Sequence, residues 1–141
     1  MPKFMKTLNN ISRAQAVFRA GKEIAPDVAP HHHALLLCVC RRPGAMQEEL
    51  SRELCLNKST VARAVSILEE RGYLQRQSDP QDKRRLYVYP TARAEQIIPQ
   101  IRAASSEWYE KITDGITEEE LATFASILAK IEANAKRQLE I

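Results

Sequence analysis

Apolar residues recur every three or four positions along most of this chain, which is the spacing of one face of an α-helix. The pattern predicts a first helix of about 20 residues from Phe4 onward, then helices over 31–41, 46–54, 58–71 and 92–113, and a sixth that opens at Thr117. Residues 73–77 and 86–89 have the pattern of strands, with 79–82 as the turn between them. The predicted fold class is therefore mainly α with a small β-hairpin (α+β).

Polar and special residues mark the ends of these segments. Asn57, Thr91 and Thr117 are placed to cap the helices that follow them, Thr117 within a capping box. Gly72 is expected to end the fourth helix in a left-handed conformation. Pro99 lies inside the fifth helix, where it is expected to bend the helix or remove one hydrogen bond.

The composition is that of an ordinary globular domain, with 44% hydrophobic and 28% charged residues in a chain of 141. The longest apolar run, 34–40, is far shorter than the ~20 residues that cross a bilayer, and no export signal opens the sequence. The three cysteines are odd in number and suit a reducing compartment. We therefore expect a cytoplasmic protein with no membrane partner, and no cofactor is predicted.

The net charge of +3 is unevenly distributed. Residues 41–93 contain 11 Lys and Arg against 7 Asp and Glu, whereas the rest of the chain has 10 against 11. The positive excess thus coincides with the third helix, the fourth helix and the hairpin. A basic surface between nearly neutral helices is typical of a site that binds nucleic-acid phosphates.

The third and fourth helices have the pattern of a helix-turn-helix, in which the first helix braces a second that enters the major groove of DNA. The inward stripe of the fourth helix is Val61, Val65 and Leu68. The candidate DNA contacts at its start are Lys58, Ser59, Thr60 and Arg63. Lys58 is expected to meet a phosphate, and the two hydroxyls a phosphate or a base. Arg63 shares its face with Ser59 and Ala62, which favours a guanine contact over a merely solvated side chain.

The tip of the hairpin is the second candidate DNA contact. It carries Lys83, Arg84 and Arg85, and an arginine there can enter a narrow minor groove, where the negative potential is enhanced. Asp82 lies two residues before Arg84 and is placed to hold its guanidinium. Alternatively, Asp-Pro-Gln-Asp is simply a good turn sequence, and both interpretations can hold together.

These segments together resemble the MarR family of bacterial winged helix-turn-helix regulators over nearly the whole chain. The matching segments are QEELSRELCLNKSTVARAVSILEERGYL (47–74), SDPQDKRR (78–85) with Val88 and Thr91 after it, and TEEEL (117–121). The family's wing pattern Asp-x-Arg falls on Asp82 and Arg84, and its Ser-Thr-Val-x-Arg falls on 59–63. The sequence departs from the family at Met46, Cys55, Pro90 and Ala94. Cys55 replaces a turn glycine, so a left-handed backbone there costs about 1 kcal/mol.

The resemblance implies a single MarR-type domain over 1–141. Residues 1–28 and 92–141 are then dimerisation helices, and 31–91 form the winged helix-turn-helix, with the helix-turn-helix at 46–71 and the wing at 73–90. The apolar stripes of the terminal helices exceed what one copy can bury, which agrees with a homodimer. Its two recognition helices would meet successive major-groove faces of a pseudo-palindromic operator.

Members of the family commonly respond to small aromatic or phenolic effectors, bound between the dimer helices and the DNA-reading lobe. The residues expected near that cleft are His31, His32, His33, Arg41, Arg42 and Trp108. We favour a polar helix start for the three histidines over a ligand or metal contact, because adjacent helical residues point about 100° apart. No metal site is predicted.

Redox sensing is the other signal that the resemblance suggests. The oxidant-sensing members keep a reactive cysteine in the first helix, and this chain has none there. Cys38 and Cys40 are most simply small core residues. Cys55 is the better candidate, since oxidation at the turn could tilt the recognition helix.

The sequence therefore predicts a sequence-specific double-stranded DNA-binding transcriptional regulator, in the form of a homodimeric repressor released by a small-molecule effector. The alternatives are a redox- or metal-responsive regulator of the same fold and a winged-helix protein-interaction module. An enzyme is disfavoured, because the sequence has neither a glycine-rich phosphate loop nor a nucleophile elbow.

Overall fold

The computed structural model describes residues 3–139 and contains six α-helices and a small antiparallel sheet within that range. The elements are α1 (Lys3–Gly21), a short 3-10 helix (Pro30–His32), α2 (His33–Arg41), β1 (Ala45–Met46), α3 (Gln47–Leu54), α4 (Lys58–Glu70), β2 (Leu74–Ser78), β3 (Leu86–Pro90), α5 (Ala92–Ile112) and α6 (Glu118–Arg137). All six predicted helices are present. The predicted helix start at His31 is a 3-10 turn instead, and α5 runs unbroken through Pro99.

The sheet has three strands in the order β1-β3-β2, not the two of the predicted hairpin. Ala45 of β1 pairs with Val88, and Leu74 of β2 pairs with Pro90 at the base of the hairpin. Sequence patterns missed β1 because a two-residue strand carries no periodicity, and it exists only by pairing with a distant segment. We define the wing as β2, β3 and the loop between them. The pairing of β1 with β3 holds the start of α3 against the wing.

Local side chains set the ends of the helices as predicted. The Asn57 carboxamide accepts from the Thr60 backbone N–H at 2.7 Å, and Thr91 accepts from the Ala94 N–H at 3.3 Å. Thr117 and Glu120 form the reciprocal capping box at 3.1 and 3.0 Å. These caps satisfy amide donors that the first turn of a helix otherwise leaves without partners.

Two residues have a left-handed backbone where the helix-turn-helix needs one. Gly72 ends α4 with φ +84, as predicted. Cys55 ends α3 with φ 54 and ψ 38, so the turn keeps the family geometry without its usual glycine. The strain of about 1 kcal/mol expected for a side chain in this region is therefore present at Cys55.

The core lies among α2, α3, α4, the sheet and the first half of α5. Its most completely buried side chains include Leu36, Val39, Leu50, Val61, Val65, Leu68, Val88 and Ile101. The predicted inward stripe of α4 is thus confirmed. By contrast, α1 and α6 have no buried residue among those described. No helix within residues 3–139 combines the length and apolar character needed to cross a membrane.

One buried polar side chain predicts how stability depends on pH. His33 is only 1% exposed, and neither ring nitrogen has a hydrogen-bond partner among residues 3–139. Burial, aided by the positive charge of Arg19, lowers the pKa of His33 from 6.5 to about 4. The unfolded chain therefore binds this proton at a higher pH than the folded chain does, so acid favours unfolding between those two values.

We expect the urea midpoint to be highest above pH 6.5 and to fall as the pH is lowered toward 4. His33→Leu should flatten this part of the profile, because its side chain cannot take a proton in either state. His31→Leu, at an exposed imidazole, is the matched control and should change the slope much less than His33→Leu does, because the charge of His31 is only a minor cause of the lowered pKa of His33. Equal slopes in all three proteins would show that His33 does not cause the dependence.

Candidate nucleic-acid interface

The start of α4 presents most of the predicted contact residues to solvent. Lys58, Ser59 and Arg63 are exposed, whereas Thr60 is half-buried and lines an apolar cleft beside α2. The Ser59 hydroxyl donates to the capping carboxamide of Asn57 at 2.8 Å, which holds it at the helix start. Thr60 is therefore less exposed than Ser59 and Arg63, and it shares the apolar cleft with Arg63.

The opposite flank of α4 is tied to the wing. The Arg76 guanidinium on β2 donates to Ser66 at 2.9 Å and to Glu69 at 3.0 Å. Glu69 also accepts from the Arg76 backbone N–H at 3.0 Å, and this bond is the main reason that the pKa of Glu69 is lowered. Because Arg76 is neutralised within the protein, the basic character of the wing is concentrated at its tip.

At the wing tip, Asp82 organises the arginines as predicted. Its carboxylate accepts from the Arg84 backbone N–H at 3.1 Å and from Nε of the same residue at 3.2 Å. The Arg84 side chain is nonetheless 92% exposed, so its fork of N–H groups points outward. Arg85 lies 4.0 Å from the other oxygen of Asp82, and Lys83 is exposed beside them.

A second carboxylate braces the wing loop, and sequence reasoning missed its role. Asp79 accepts from the Tyr87 hydroxyl at 2.7 Å and from the Gln81 backbone N–H at 2.8 Å. Its own N–H donates to the Arg85 carbonyl at 3.0 Å, which closes the loop. The Tyr87 bond is the largest cause of the lowered pKa of Asp79 and of the raised pKa of Tyr87. The sequence signal for this role was only that Asp79 precedes Pro80, a pair that is typical of a turn.

The helix-turn-helix and the wing tip share one open cleft of about 390 Å³. Its lining residues are Met46, Gln47, Glu48, Lys58, Asp82, Arg84, Arg85 and Leu86. Lys58 also lies 3.3 Å from Glu48, which pairs with Arg52 at 3.1 Å. Residues from α4 and the wing thus bring three cations, Lys58, Arg84 and Arg85, to one concave surface beside the carboxylates of Glu48 and Asp82. Exposed cations of this kind are what a phosphate backbone can contact.

The residues expected around an effector cleft do not converge. His31 and His32 border the apolar cleft beside α4, and Arg41 lies over α5. Arg42 pairs with Glu49 at 2.6 Å and with Glu53 at 3.2 Å. Trp108 packs on Phe18 and lines a groove between α1 and α6. Within one copy these side chains therefore line separate clefts, and the expectation that they lie near an effector cleft of the dimer stays a prediction.

The structure also separates the three cysteines into two classes. Burial raises the pKa of Cys38 to about 11 and also raises the pKa of Cys40. Both thiols therefore stay protonated near neutral pH, as expected of core residues. Cys55 is exposed at the turn. Within residues 3–139 no group of three His, Cys, Asp or Glu side chains is placed to hold a metal ion.

Known proteins with similar sequences and structures are transcriptional regulators. The family model described as the MarR family matches residues 29–86. The uncharacterized HTH-type transcriptional regulator YybA of Bacillus subtilis (strain 168) is 28% identical over 114 residues, which cover 81% of this chain and 76% of YybA. The crystal structure of MarR aligns with a TM-score of 0.83 and 30% identity, over 98% of this chain and 93% of that chain. This chain belongs to the MarR family.

Another solved MarR-family regulator, from Listeria monocytogenes, is complexed with a 26mer DNA. It has a TM-score of 0.90 and 22% identity, over 98% of this chain and 92% of that chain, so it shares the fold. MarR-family membership confirms the resemblance and the winged-helix fold class predicted from sequence. Because the relatives are regulators of transcription, the expectation that the chain is not an enzyme is also confirmed.

Proposed function

We propose that this MarR-family protein is a sequence-specific, double-stranded DNA-binding repressor that acts in the cytoplasm as a homodimer and is released by a small molecule. The contacts assigned to DNA are those predicted from sequence: Lys58, Ser59, Thr60, Arg63, Asp82, Lys83, Arg84 and Arg85. Asp82 acts by holding Arg84, and Thr60 is the weakest member because it is half-buried.

The observation that carries the proposal is the shared cleft of Lys58, Arg84 and Arg85, next to the exposed face of Ser59 and Arg63. If the recognition helix lies in the major groove while the wing lies in the neighbouring minor groove, both elements must carry cations. The distance between the helix and the wing tip must then be fixed. The Arg76–Glu69 contacts fix that separation. The Listeria relative supports the proposal, since the same fold has been solved with DNA.

A gel-shift titration at several salt concentrations tests this function. We expect a specific complex with the DNA upstream of the protein's own coding sequence, and an affinity that falls steeply with salt as counterions are released. A protein-interaction module, the rival function, would bind DNA only weakly and without sequence preference. The charged wing tip favours DNA, because a protein-docking wing is expected to expose apolar residues instead.

Arg63→Ala should relax sequence preference at one base pair of each half-site, by about 1–3 kcal/mol if the contact with guanine is bidentate. Competition between the operator and single-base variants measures this loss. Glu70→Ala, on the exposed side of the last turn of α4, is the control and should keep the wild-type preference. If Arg63→Ala weakened all sequences equally, its partner would be a phosphate and the assigned role would be wrong.

The effector is proposed to be a small aromatic or phenolic molecule in an apolar cleft of about 450 Å³ beside α4. This cleft is lined by His31, His32, Ala34, Leu35, Leu54, Leu56, Thr60, Arg63, Ala64 and Ile67. A planar apolar ligand there would contact Arg63 and disturb its approach to DNA.

Simple benzoates and phenols should release a preformed complex, and Ile67→Trp, which fills the cleft, should abolish that response. Release that is unaffected by Ile67→Trp would place the effector elsewhere.

A further inference from the structure

Four residues from separate parts of the chain form one polar network, here named the Asp27 network: Asp27, Arg71, Tyr73 and Arg93. The Asp27 carboxylate accepts from the Tyr73 hydroxyl at 2.7 Å and from Arg93 Nη2 at 2.8 Å. Arg93 Nη1 donates to the Arg71 carbonyl at 2.7 Å, and Arg71 Nη1 donates to the Asp27 carbonyl at 2.6 Å. The Arg93 guanidinium also lies 4.5 Å above the ring of Tyr73.

The network joins the DNA-reading lobe to the helices that leave it. Arg71 is the residue that ends α4, and Tyr73 immediately precedes β2. Arg93 is in the first turn of α5, and Asp27 lies in the segment between α1 and α2. The recognition helix and the wing are therefore both linked to α5, part of the proposed dimerisation region, and to the segment that joins α1 to α2.

The contacts determine orientation more than overall stability. The side chains of Asp27 and Arg93 are 39% and 54% exposed, and an exposed ion pair contributes only about 0–1 kcal/mol. Their geometry is nevertheless restrictive, because one guanidinium binds a carboxylate and a carbonyl while it stacks on a buried ring. The pKa of Asp27 is lowered chiefly by the Tyr73 hydroxyl, so the carboxylate is charged at neutral pH.

We infer that the Asp27 network sets the angle between α4 and α5 and so determines which half-site spacing the dimer accepts. The inference rests on the proposed function, since spacing has meaning only for a dimer on DNA. The two recognition helices must be separated by about one helical turn of DNA, 34–36 Å, to reach successive major-groove faces. A small rotation of α4 at its C-terminal end changes that separation in both copies.

Operators that differ by one or two base pairs in half-site spacing test the inference. Asp27→Asn keeps the shape of the side chain but removes its charge, and Arg93→Lys keeps the charge but cannot bind Asp27 and the Arg71 carbonyl together. We expect the wild type to prefer one spacing by about tenfold or more, and both variants to reduce that preference to about threefold or less. Glu95→Gln, also in the first turn of α5, is the control and should keep the wild-type preference.

A second measurement does not depend on DNA. A nitroxide on exposed Cys55, in a Cys40→Ala background with Cys38 buried, reports the distance between the helix-turn-helix turns of the two copies. Pulsed electron resonance should give a narrow distance distribution for the wild type and Glu95→Gln. The distribution should be shifted or broadened for Asp27→Asn and Arg93→Lys.

The outcomes separate this inference from the proposed function. If operators bind and the spacing preference of both variants equals that of the wild type, the inference is overturned. If the wild type binds no DNA specifically, the proposed function fails and the distances alone decide. In that case a Cys55–Cys55 distance distribution that differs between the variants and the wild type supports the positioning role of the network. An unchanged distribution contradicts that role.

Discussion

Arg84→Ala should weaken operator binding by about 1–3 kcal/mol per contact, or roughly 5- to 150-fold, while leaving the fold unchanged. The side chain is 92% exposed, so it contributes little packing within the protein. In the proposed complex its loss removes a guanidinium from a narrow minor groove, where the negative potential of DNA is enhanced. Gel-shift titrations at several salt concentrations measure the affinity, and the salt dependence should become shallower by about two counterions per dimer, one for each copy.

Arg102→Ala is the matched control for this experiment, since it removes an exposed arginine on α5, away from the wing. It should bind the operator as the wild type does, and thermal unfolding should be unchanged in both proteins. Wild-type affinity in Arg84→Ala would contradict a role for the wing tip in DNA binding. Asp82→Ala should then reproduce part of the Arg84→Ala loss if Asp82 acts by holding the guanidinium.

A charged double variant on α6, Phe124→Asp with Ile127→Asp, should convert the protein to a folded monomer that loses at least about 100-fold in operator affinity. A monomer contacts one half-site only, so it forfeits the gain from simultaneous binding of both. Phe124 and Ile127 are 53% and 51% exposed, although apolar patches of this kind are usually covered. Sedimentation velocity gives the oligomeric state, and far-UV circular dichroism confirms that the helices remain.

The control for the charge itself is Ser126→Asp, at an exposed position on another side of the same helix. It should remain a dimer with wild-type affinity. The prediction fails if the double variant still sediments as a dimer, or if the wild type is already monomeric at micromolar concentration. A monomer that bound the operator as tightly as the wild type would contradict the need for two recognition helices.

Features that depend on neighbouring residues were predictable from the sequence. Each cap acts within one turn of its own helix, so Asn57, Thr91 and Thr117 could be assigned without knowing the fold. The inward stripe of α4 was also predictable, because helical periodicity and burial agree there. The Asp82–Arg84 contact belongs to this class as well, since it spans only two residues.

Features that depend on distant pairing were not predictable. The strand β1 is two residues long and exists because Ala45 meets Val88. Asp27 and Arg93 are separated by 66 positions, and no local pattern relates them. The separate clefts of His31, Arg41 and Trp108 were not predictable for a similar reason, because they depend on the relative placement of α2 and α5. Helical periodicity gives the face on which a residue lies but not the surface that this face meets.

The brace between Asp79 and Tyr87 has a consequence for how fast the protein finds its target. A loop that is already closed by hydrogen bonds at 2.7, 2.8 and 3.0 Å has little conformational entropy left to lose when it docks. In the proposed complex the wing therefore reaches the double helix in its final shape, and we expect association to be governed by diffusion and charge attraction. Tyr87→Phe would leave all the arginines of the wing unchanged but lower the rate at which the protein associates with DNA.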